Sequence, residues 1–185
     1  MTSQLKANAN TSQLVMIDMQ VRLASVMPSE AMHAASRNCA ILLQSAKLLA
    51  VPCIVTEQYP QGLGATLPEL AEHLQEILPI AKTSFSCLSE PKFSRQLTRD
   101  HSQVILSGME THICVLQTAL DIVATGKQVM VVEDAVISRK AENKANALAR
   151  MREAGCIITN TESVVFEWLG VAEGDAFKAI SKLIR

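Results

Sequence analysis

Three residues with the chemistry of an acyl-transfer site are spread along the chain: Asp18, Lys82 and Cys114. A thiolate is a strong nucleophile, a carboxylate takes and returns protons, and an ammonium group stabilises both anions. Cys114 falls in the first turn of a helix predicted from about residue 112 to 124. The helix dipole and a nearby lysine both favour the thiolate there. We therefore expect the Cys114 pKa to lie below that of a free thiol.

The elements that must position these residues are short apolar runs separated by helical patterns. The runs cover residues 14–17, 51–55, 78–81, 104–106, 129–132 and 156–159. Short strands that are apolar on both faces are typical of a parallel sheet covered by helices on both sides. The predicted fold is α/β: a three-layer α/β/α domain with a six-stranded, mostly parallel, doubly wound sheet.

Polar residues follow several of the predicted strands. In doubly wound folds, ligands bind beyond the carboxyl ends of the strands. Asp18, Glu57 and Lys82 stand at or just past three such ends, and the fourth strand leads into the helix with Cys114. Backbone N–H groups of the 110–114 turn are then placed to bind an oxyanion. From spacing alone, a capping aspartate, a solvated lysine and a core cysteine remain the alternative.

Five further residues are candidates for substrate binding because they lie near the same rim: Gln20, Glu57, Tyr59, Phe85 and His112. The amide of Gln20 can position Asp18 or substrate, and Glu57 can bind substrate or cap its loop. Tyr59 and Phe85 can form apolar walls of a pocket. An ordinary packing or capping role stays open for each of the five.

Composition limits the classes of function. The chain has 185 residues, a net charge of −1 and only 3% aromatic residues, so neither a phosphate backbone nor stacked bases are natural partners. No apolar run reaches the roughly 20 residues that span a bilayer. Five widely spaced cysteines indicate free thiols, and hence a cytoplasmic protein. We expect a small-molecule substrate, a flexible N-terminus over residues 1–12 and a single domain over residues 13–185.

Four segments together resemble the isochorismatase-like cysteine hydrolases, a family that includes nicotinamidases and N-carbamoylsarcosine amidases. They are VMIDMQ (15–20), AKTSFSC (81–87), SGMETHICVLQTALD (107–121) and VVEDAVISR (131–139). The similarity runs in order from about residue 14 to 168. TEQYPQGLG (56–64) is most similar to the isochorismatase-domain-containing branch of that family.

The resemblance implies an Asp–Lys–Cys triad, here Asp18, Lys82 and Cys114. It also implies a cis peptide between Met109 and Glu110, an oxyanion hole formed by the N–H groups of Glu110 and Cys114, and a thioester intermediate. The family further implies a homo-oligomer, from dimer to octamer. An amphipathic C-terminal segment allows an apolar interface of that kind.

Two departures narrow the expected activity. Nicotinamidases carry metal-binding histidines beyond the second strand, whereas residues 56–60 contain none, so we expect neither metal nor other cofactor. Isochorismatases that cleave a vinyl ether lack the cysteine, whereas Cys114 is present. The rival interpretations are a metal-dependent amidase, an ether hydrolase, a catalytically idle binding or scaffold protein, and a redox sensor that pairs Cys114 with Cys87.

Overall fold

A six-stranded sheet forms the centre of the computed structural model, which describes residues 5–184. Its strands are β1 (Ser12–Ile17), β2 (Cys53–Gln58), β3 (Ile80–Lys82), β4 (Gln103–Met109), β5 (Gln128–Ile137) and β6 (Ile157–Thr159). The order is β3-β2-β1-β4-β5-β6, and all neighbouring strands are parallel. The predicted three-layer, doubly wound fold is confirmed.

Helices cover both faces of the sheet. They are α1 (Val21–Ala24), α2 (Ser29–Leu48), α3 (Pro60–Leu63), α4 (Pro68–Ala71), α5 (Pro91–Gln96), α6 (Leu116–Ala124), α7 (Ala141–Glu153), α8 (Thr161–Leu169) and α9 (Gly174–Leu183). A 3-10 turn (Cys87–Ser89) precedes α5, and a π-helical turn (Thr111–Val115) leads directly into α6. Helices α2, α8 and α9 contribute to the apolar core on one face, and α5, α6 and α7 to the core on the other.

Strand β5 is longer than its apolar run predicts. The apolar run covers residues 129–132, but β5 continues to Ile137 and α7 begins at Ala141. Three buried apolar residues, 135–137, extend the strand beyond its polar positions. Asp134 therefore lies within the strand, where its carboxylate accepts hydrogen bonds from the backbone N–H and hydroxyl of Thr161.

The strand order reverses between β1 and β4, which is where doubly wound folds bind their ligands. Gly108 makes the close contact between these two strands possible. A Cβ at this position would lie 2.0 Å from the carbonyl oxygen of Ile17, and its φ of +115° also favours glycine. As a result, the chain leaves β1 at Asp18 beside the turn that follows β4.

The segment before β1 lies against the domain. Ala7 is buried, and its N–H donates to Glu167 of α8 over 2.6 Å, while the N–H of Asn8 donates to Gln103 of β4 over 2.8 Å. Residues 1–4 lie outside the described residues, so the flexible N-terminus and the domain boundary stay predictions. Within residues 5–184, every helix is too short or too polar to cross a bilayer.

Candidate active site

Asp18 is held in place by hydrogen bonds to both carboxylate oxygens. It follows β1 directly, has a left-handed φ of 52° and is completely buried. The Lys82 ammonium donates to Oδ2 over 2.7 Å, and the Thr56 hydroxyl donates to Oδ1 over 2.7 Å. A buried carboxylate is stable only when it is paired and hydrogen-bonded, and Asp18 meets both conditions.

Lys82 is the last residue of β3, and its side chain is fully shielded from solvent. Besides Asp18, its ammonium donates to Gln58 Oε1 over 2.6 Å and to the carbonyls of Ser84 and Phe85 over 3.2 and 3.3 Å. Burial by itself lowers the pKa of Lys82. The negative charge of Asp18, with smaller contributions from two thiols, more than offsets this, so the pKa is raised and the group stays charged.

Cys114 lies in the π-helical turn after β4, is only 6% exposed and has a side-chain hydrogen bond with Asp18. The structure therefore brings Asp18, Lys82 and Cys114 together. The expected lowering of the Cys114 pKa is wrong, because burial raises it and the adjacent charge of Asp18 raises it further, although Lys82 acts in the opposite direction. The raised pKa keeps the Cys114 thiol neutral near neutral pH.

The turn that carries Cys114 begins with the expected cis peptide between Met109 and Glu110. The carbonyl of Glu110 accepts hydrogen bonds from the backbone N–H groups of Ile113 and Val115 over 3.1 and 3.3 Å. The Glu110 carboxylate pairs with Arg139, which donates its backbone N–H and its Nε over 3.1 Å. Hydrogen bonds thus fix both the backbone carbonyl and the side-chain carboxylate of Glu110.

Gln20 and Glu57 both hold the loop after β2. Gln20 is completely buried, and its amide donates to the carbonyls of Gln58 and Gly64 over 3.0 and 2.6 Å and accepts from the Gln58 N–H. The Glu57 carboxylate accepts hydrogen bonds from the backbone N–H and the hydroxyl of Thr66, both over 2.7 Å. These contacts fix the shape of the loop, and a role in substrate binding stays a prediction for both.

Tyr59 and Phe85 lie near the rim, with 54% and 53% of their surface exposed. The Tyr59 N–H donates to the Lys82 carbonyl over 2.8 Å, and its ring covers Gly62, where a Cβ would meet Cε1 at 2.2 Å. His112 bonds through Nδ1 to the Ser138 hydroxyl over 3.0 Å and through Nε2 to Asn143 over 3.4 Å. Substrate contact by these three residues also stays a prediction.

The sequence interpretation missed three residues of this site: Thr56, Gln58 and Arg139. Thr56 pairs with Ile17 across the sheet, so a parallel β1–β2 register would have placed it beside Asp18. Arg139 closes the quoted segment 131–139, but nothing in the local pattern links it to Glu110, 29 residues earlier. No local pattern marked Gln58 as a partner of Lys82.

The region also contains a second thiol. Cys87 is fully buried, lies 3.8 Å from the Thr56 hydroxyl and interacts electrostatically with Lys82 and Asp18. Within the described part of the chain, no three or more His, Cys, Asp or Glu side chains come together in a way that would hold a metal ion.

Replacing Lys82 with methionine is expected to reduce the free energy of unfolding by about 3–5 kcal/mol, because it leaves the buried Asp18 carboxylate unpaired. Adding Asp18→Asn to Lys82→Met removes the remaining charge, so the double variant should regain much of this loss. Urea unfolding of the wild type, both single variants and the double variant measures the coupling. Strictly additive losses would show that the two charges do not stabilise each other.

Alkaline pH is expected to destabilise the fold through its four other thiols, which are buried or half-buried. Burial raises their pKa values from 9.0 to about 12 for Cys39 and Cys53 and to about 11 for Cys87 and Cys156. A raised pKa means that the stabilisation is complete below about pH 9 and is lost as the pH rises toward these values. Each such thiol contributes a slope of about 1.4 kcal/mol per pH unit in that window.

Cys39→Ala should therefore reduce the pH dependence of unfolding between about pH 10 and 11 by about 1.4 kcal/mol per pH unit. Val55→Ala is the matched control, because Val55 is equally buried but does not titrate. It should lower the whole stability curve without changing its slope. An unchanged slope for Cys39→Ala would contradict the prediction.

Fold and site together define the class: a doubly wound α/β protein in which a buried aspartate–lysine pair contacts a thiol at the switch point of the sheet. Residues 12–163 match the isochorismatase domain. The chain is 38% identical over 175 residues to isochorismatase domain-containing protein 2 of Bos taurus, covering 95% of this chain and 83% of the relative. The chain therefore belongs to the isochorismatase family, and it is a hydrolase of that family.

Two solved structures show how closely the fold is shared. The MAR1 ribonuclease of Caenorhabditis elegans has a TM-score of 0.90 and 38% identity, with 97% of this chain and 92% of that chain covered. YcaC from Pseudomonas aeruginosa, determined with hexane-2,5-diol and covalent acrylamide, has a TM-score of 0.91 and 26% identity, with 99% and 93% covered.

Proposed function

We propose that this chain is a metal-independent cysteine hydrolase that cleaves a C–N bond of a small amide-like substrate through a thioester. Cys114 is the nucleophile, Asp18 the general base and acid, and Lys82 the electrostatic partner. The observation that carries the proposal is that Asp18 contacts both other residues. Its carboxylate pairs with Lys82 over 2.7 Å and forms a hydrogen bond with the Cys114 thiol.

Acylation begins from the neutral thiol. As the sulfur attacks the carbonyl carbon, its proton passes to Asp18. Because the two events occur together, no free thiolate has to form before the substrate reacts. The N–H groups of Glu110 and Cys114 then bind the oxyanion of the tetrahedral intermediate. Asp18 returns the proton to the leaving nitrogen, the C–N bond breaks, and ammonia or an amine departs.

Deacylation reverses these roles. Asp18, again ionised, takes a proton from water as the water oxygen attacks the thioester carbon. The C–S bond then breaks, the sulfur regains a proton, and a carboxylic acid leaves. Lys82 keeps its positive charge throughout, because its raised pKa makes it a poor acid near neutral pH, and it stays paired with the Asp18 carboxylate.

The small exposed area of Cys114 favours a substrate with a compact reacting group. We assign Tyr59, Phe85 and His112 to contact with the rest of the substrate. Tyr59 and Phe85 expose apolar surface near the rim, and His112 lies in the turn that carries Cys114. Gln20 and Glu57 support this pocket by holding the loop that carries Tyr59.

Two experiments test the proposal together. A panel of small primary amides and ureas is screened for ammonia release, and acrylamide, which is bound covalently in the Pseudomonas aeruginosa relative, is used to label the protein for peptide mass spectrometry. The proposal predicts release from at least one amide and labelling at Cys114 first among the five cysteines. Labelling confined to other thiols, with no hydrolysis, would favour an idle binding protein.

The Caenorhabditis elegans relative is called a ribonuclease, so RNA cleavage is the second candidate. A net charge of −1 gives this chain no excess of cations for phosphate contacts. Incubation of labelled RNA with the wild type and with Cys114→Ala separates the two candidates. Cleavage by the wild type that depends on Cys114 would favour ribonuclease activity over amide hydrolysis.

We further propose a cytoplasmic homo-oligomer. All five cysteines are free thiols, as a reducing compartment requires. Phe166 and Val171, near the end of α8, expose 38% and 59% of their surface and offer an apolar contact for a second copy. Size-exclusion chromatography with light scattering tests this assembly, and a monomer at micromolar concentration would contradict it.

A further inference from the structure

We propose that Arg139 neutralises the carboxylate of Glu110, so that this charge does not oppose the oxyanion formed at the same residue during hydrolysis. This inference depends on the proposed function, because it concerns the same turn. Arg139 acts through Glu110 and is therefore a positioning residue. Its effect falls on the acylation step.

The contact between the two side chains is specific, and its Glu110 side is shielded from solvent, whereas 55% of the Arg139 side chain is exposed. Both Glu110 oxygens accept from Arg139 Nε over 3.1 Å, and Oε2 also accepts from the Arg139 backbone N–H over 3.1 Å. The Glu110 side chain is only 7% exposed, so water contributes little to screening its charge. Arg139 is the second residue after β5, and its guanidinium group supplies the positive charge that faces the Glu110 carboxylate.

A carboxylate in this position needs such a partner for an electrostatic reason. The N–H that is proposed to bind the oxyanion and the carboxylate belong to the same residue, so the two negative charges lie within several ångströms of each other. Repulsion between like charges at that distance is strong where the surroundings are less polar than water. The paired Arg139 offsets the carboxylate charge and draws the side chain toward residues 138–140.

The turn is also held independently of Arg139. His112, two residues after Glu110, bonds to Ser138 over 3.0 Å and to Asn143 over 3.4 Å. These contacts keep the turn against the segment after β5 when Arg139 is changed. The electrostatic effect of Arg139 can therefore be measured separately from a displacement of Cys114.

Two reagents separate these effects. With p-nitrophenyl acetate, the Cys114 sulfur attacks the acetyl carbon, an oxyanion forms, and p-nitrophenolate leaves as the acetyl thioester forms. With iodoacetamide, the sulfur displaces iodide without any oxyanion. Arg139→Met is expected to slow release of p-nitrophenolate about 10- to 100-fold and to change alkylation by iodoacetamide less than about threefold.

The rescue by a second substitution identifies charge as the cause. In a Glu110→Gln background no carboxylate remains, so adding Arg139→Met should cost less than about threefold in the acylation rate. Arg139→Lys, which retains the charge but lacks the Nε contact, should fall between wild type and Arg139→Met. Thermal unfolding of every variant confirms that the rates come from folded protein.

Each other outcome overturns the inference. Equal slowing with both reagents would mean that Arg139 only places the turn. Undiminished acylation of this neutral ester would mean that Arg139 has a different role, such as binding an anionic substrate. If Arg139→Met slowed acylation equally in the wild type and in the Glu110→Gln background, Arg139 would not act by neutralising the Glu110 carboxylate. If wild-type acylation does not require Cys114, as tested with Cys114→Ala, the proposed function itself fails.

Discussion

Cys114→Ala is expected to reduce hydrolysis of any amide that the wild type cleaves by at least about 10⁴-fold. The reason is that acylation needs a nucleophile hydrogen-bonded to Asp18, and Cys114 provides one. The change deletes a single side-chain atom at a site that is 6% exposed, so the fold should survive. Ammonia release under saturating substrate, with thermal unfolding as a check, measures the effect.

Cys87→Ala is the matched control for this variant. Cys87 is also buried and interacts electrostatically with Lys82, but its pKa is raised to about 11, chiefly by burial, and its near contact is Thr56. Its removal should reduce the rate less than about tenfold. A Cys114→Ala variant that keeps more than about 1% activity would exclude the thioester and favour direct attack of a water molecule that Asp18 activates.

Asp18→Asn is expected to lower the hydrolysis rate by about 10³- to 10⁴-fold, because the amide accepts no proton from the thiol and returns none to the leaving group. Thr56→Val is the control for lost positioning. It removes the 2.7 Å hydrogen bond to Asp18 but leaves the carboxylate and Lys82 in place. We expect a loss of about tenfold or less for Thr56→Val, and equal losses in both variants would show that Asp18 acts only through its position.

The sequence could predict the relation between Asp18, Lys82 and Cys114 because parallel strands bring their carboxyl ends to one edge. That geometry needs only the order of apolar runs, and the register of β1 with β2 and β4 agrees with it. The cis peptide was predicted from the family resemblance instead, and it is present.

The electrostatics of the site could not be predicted in the same way. The Cys114 pKa depends on how deeply the thiol is buried and how close the Asp18 charge lies, and neither quantity is visible in residue spacing. The Glu110–Arg139 pair joins two loops whose approach depends on the unexpected length of β5. Likewise, Gln58 contacts Lys82 only because β2 extends beyond its apolar run.

The central claim is that Cys114 is a neutral thiol electrostatically coupled to Asp18, and the pH dependence of Cys114 alkylation tests this coupling most directly. The rate with iodoacetamide is followed by peptide mass spectrometry in the wild type and in Asp18→Asn. Burial and the Asp18 charge both raise the thiol pKa, so the wild-type midpoint should lie above the value of about 8.5 for a free thiol.

In Asp18→Asn the raising charge is gone and the attraction of Lys82 is unopposed, so the alkylation midpoint should fall by at least about one pH unit while hydrolysis is lost. Faster alkylation at neutral pH together with lost turnover is the result that the mechanism predicts. A wild-type midpoint below about 8.5, or a midpoint that rises or stays fixed in Asp18→Asn, would contradict it.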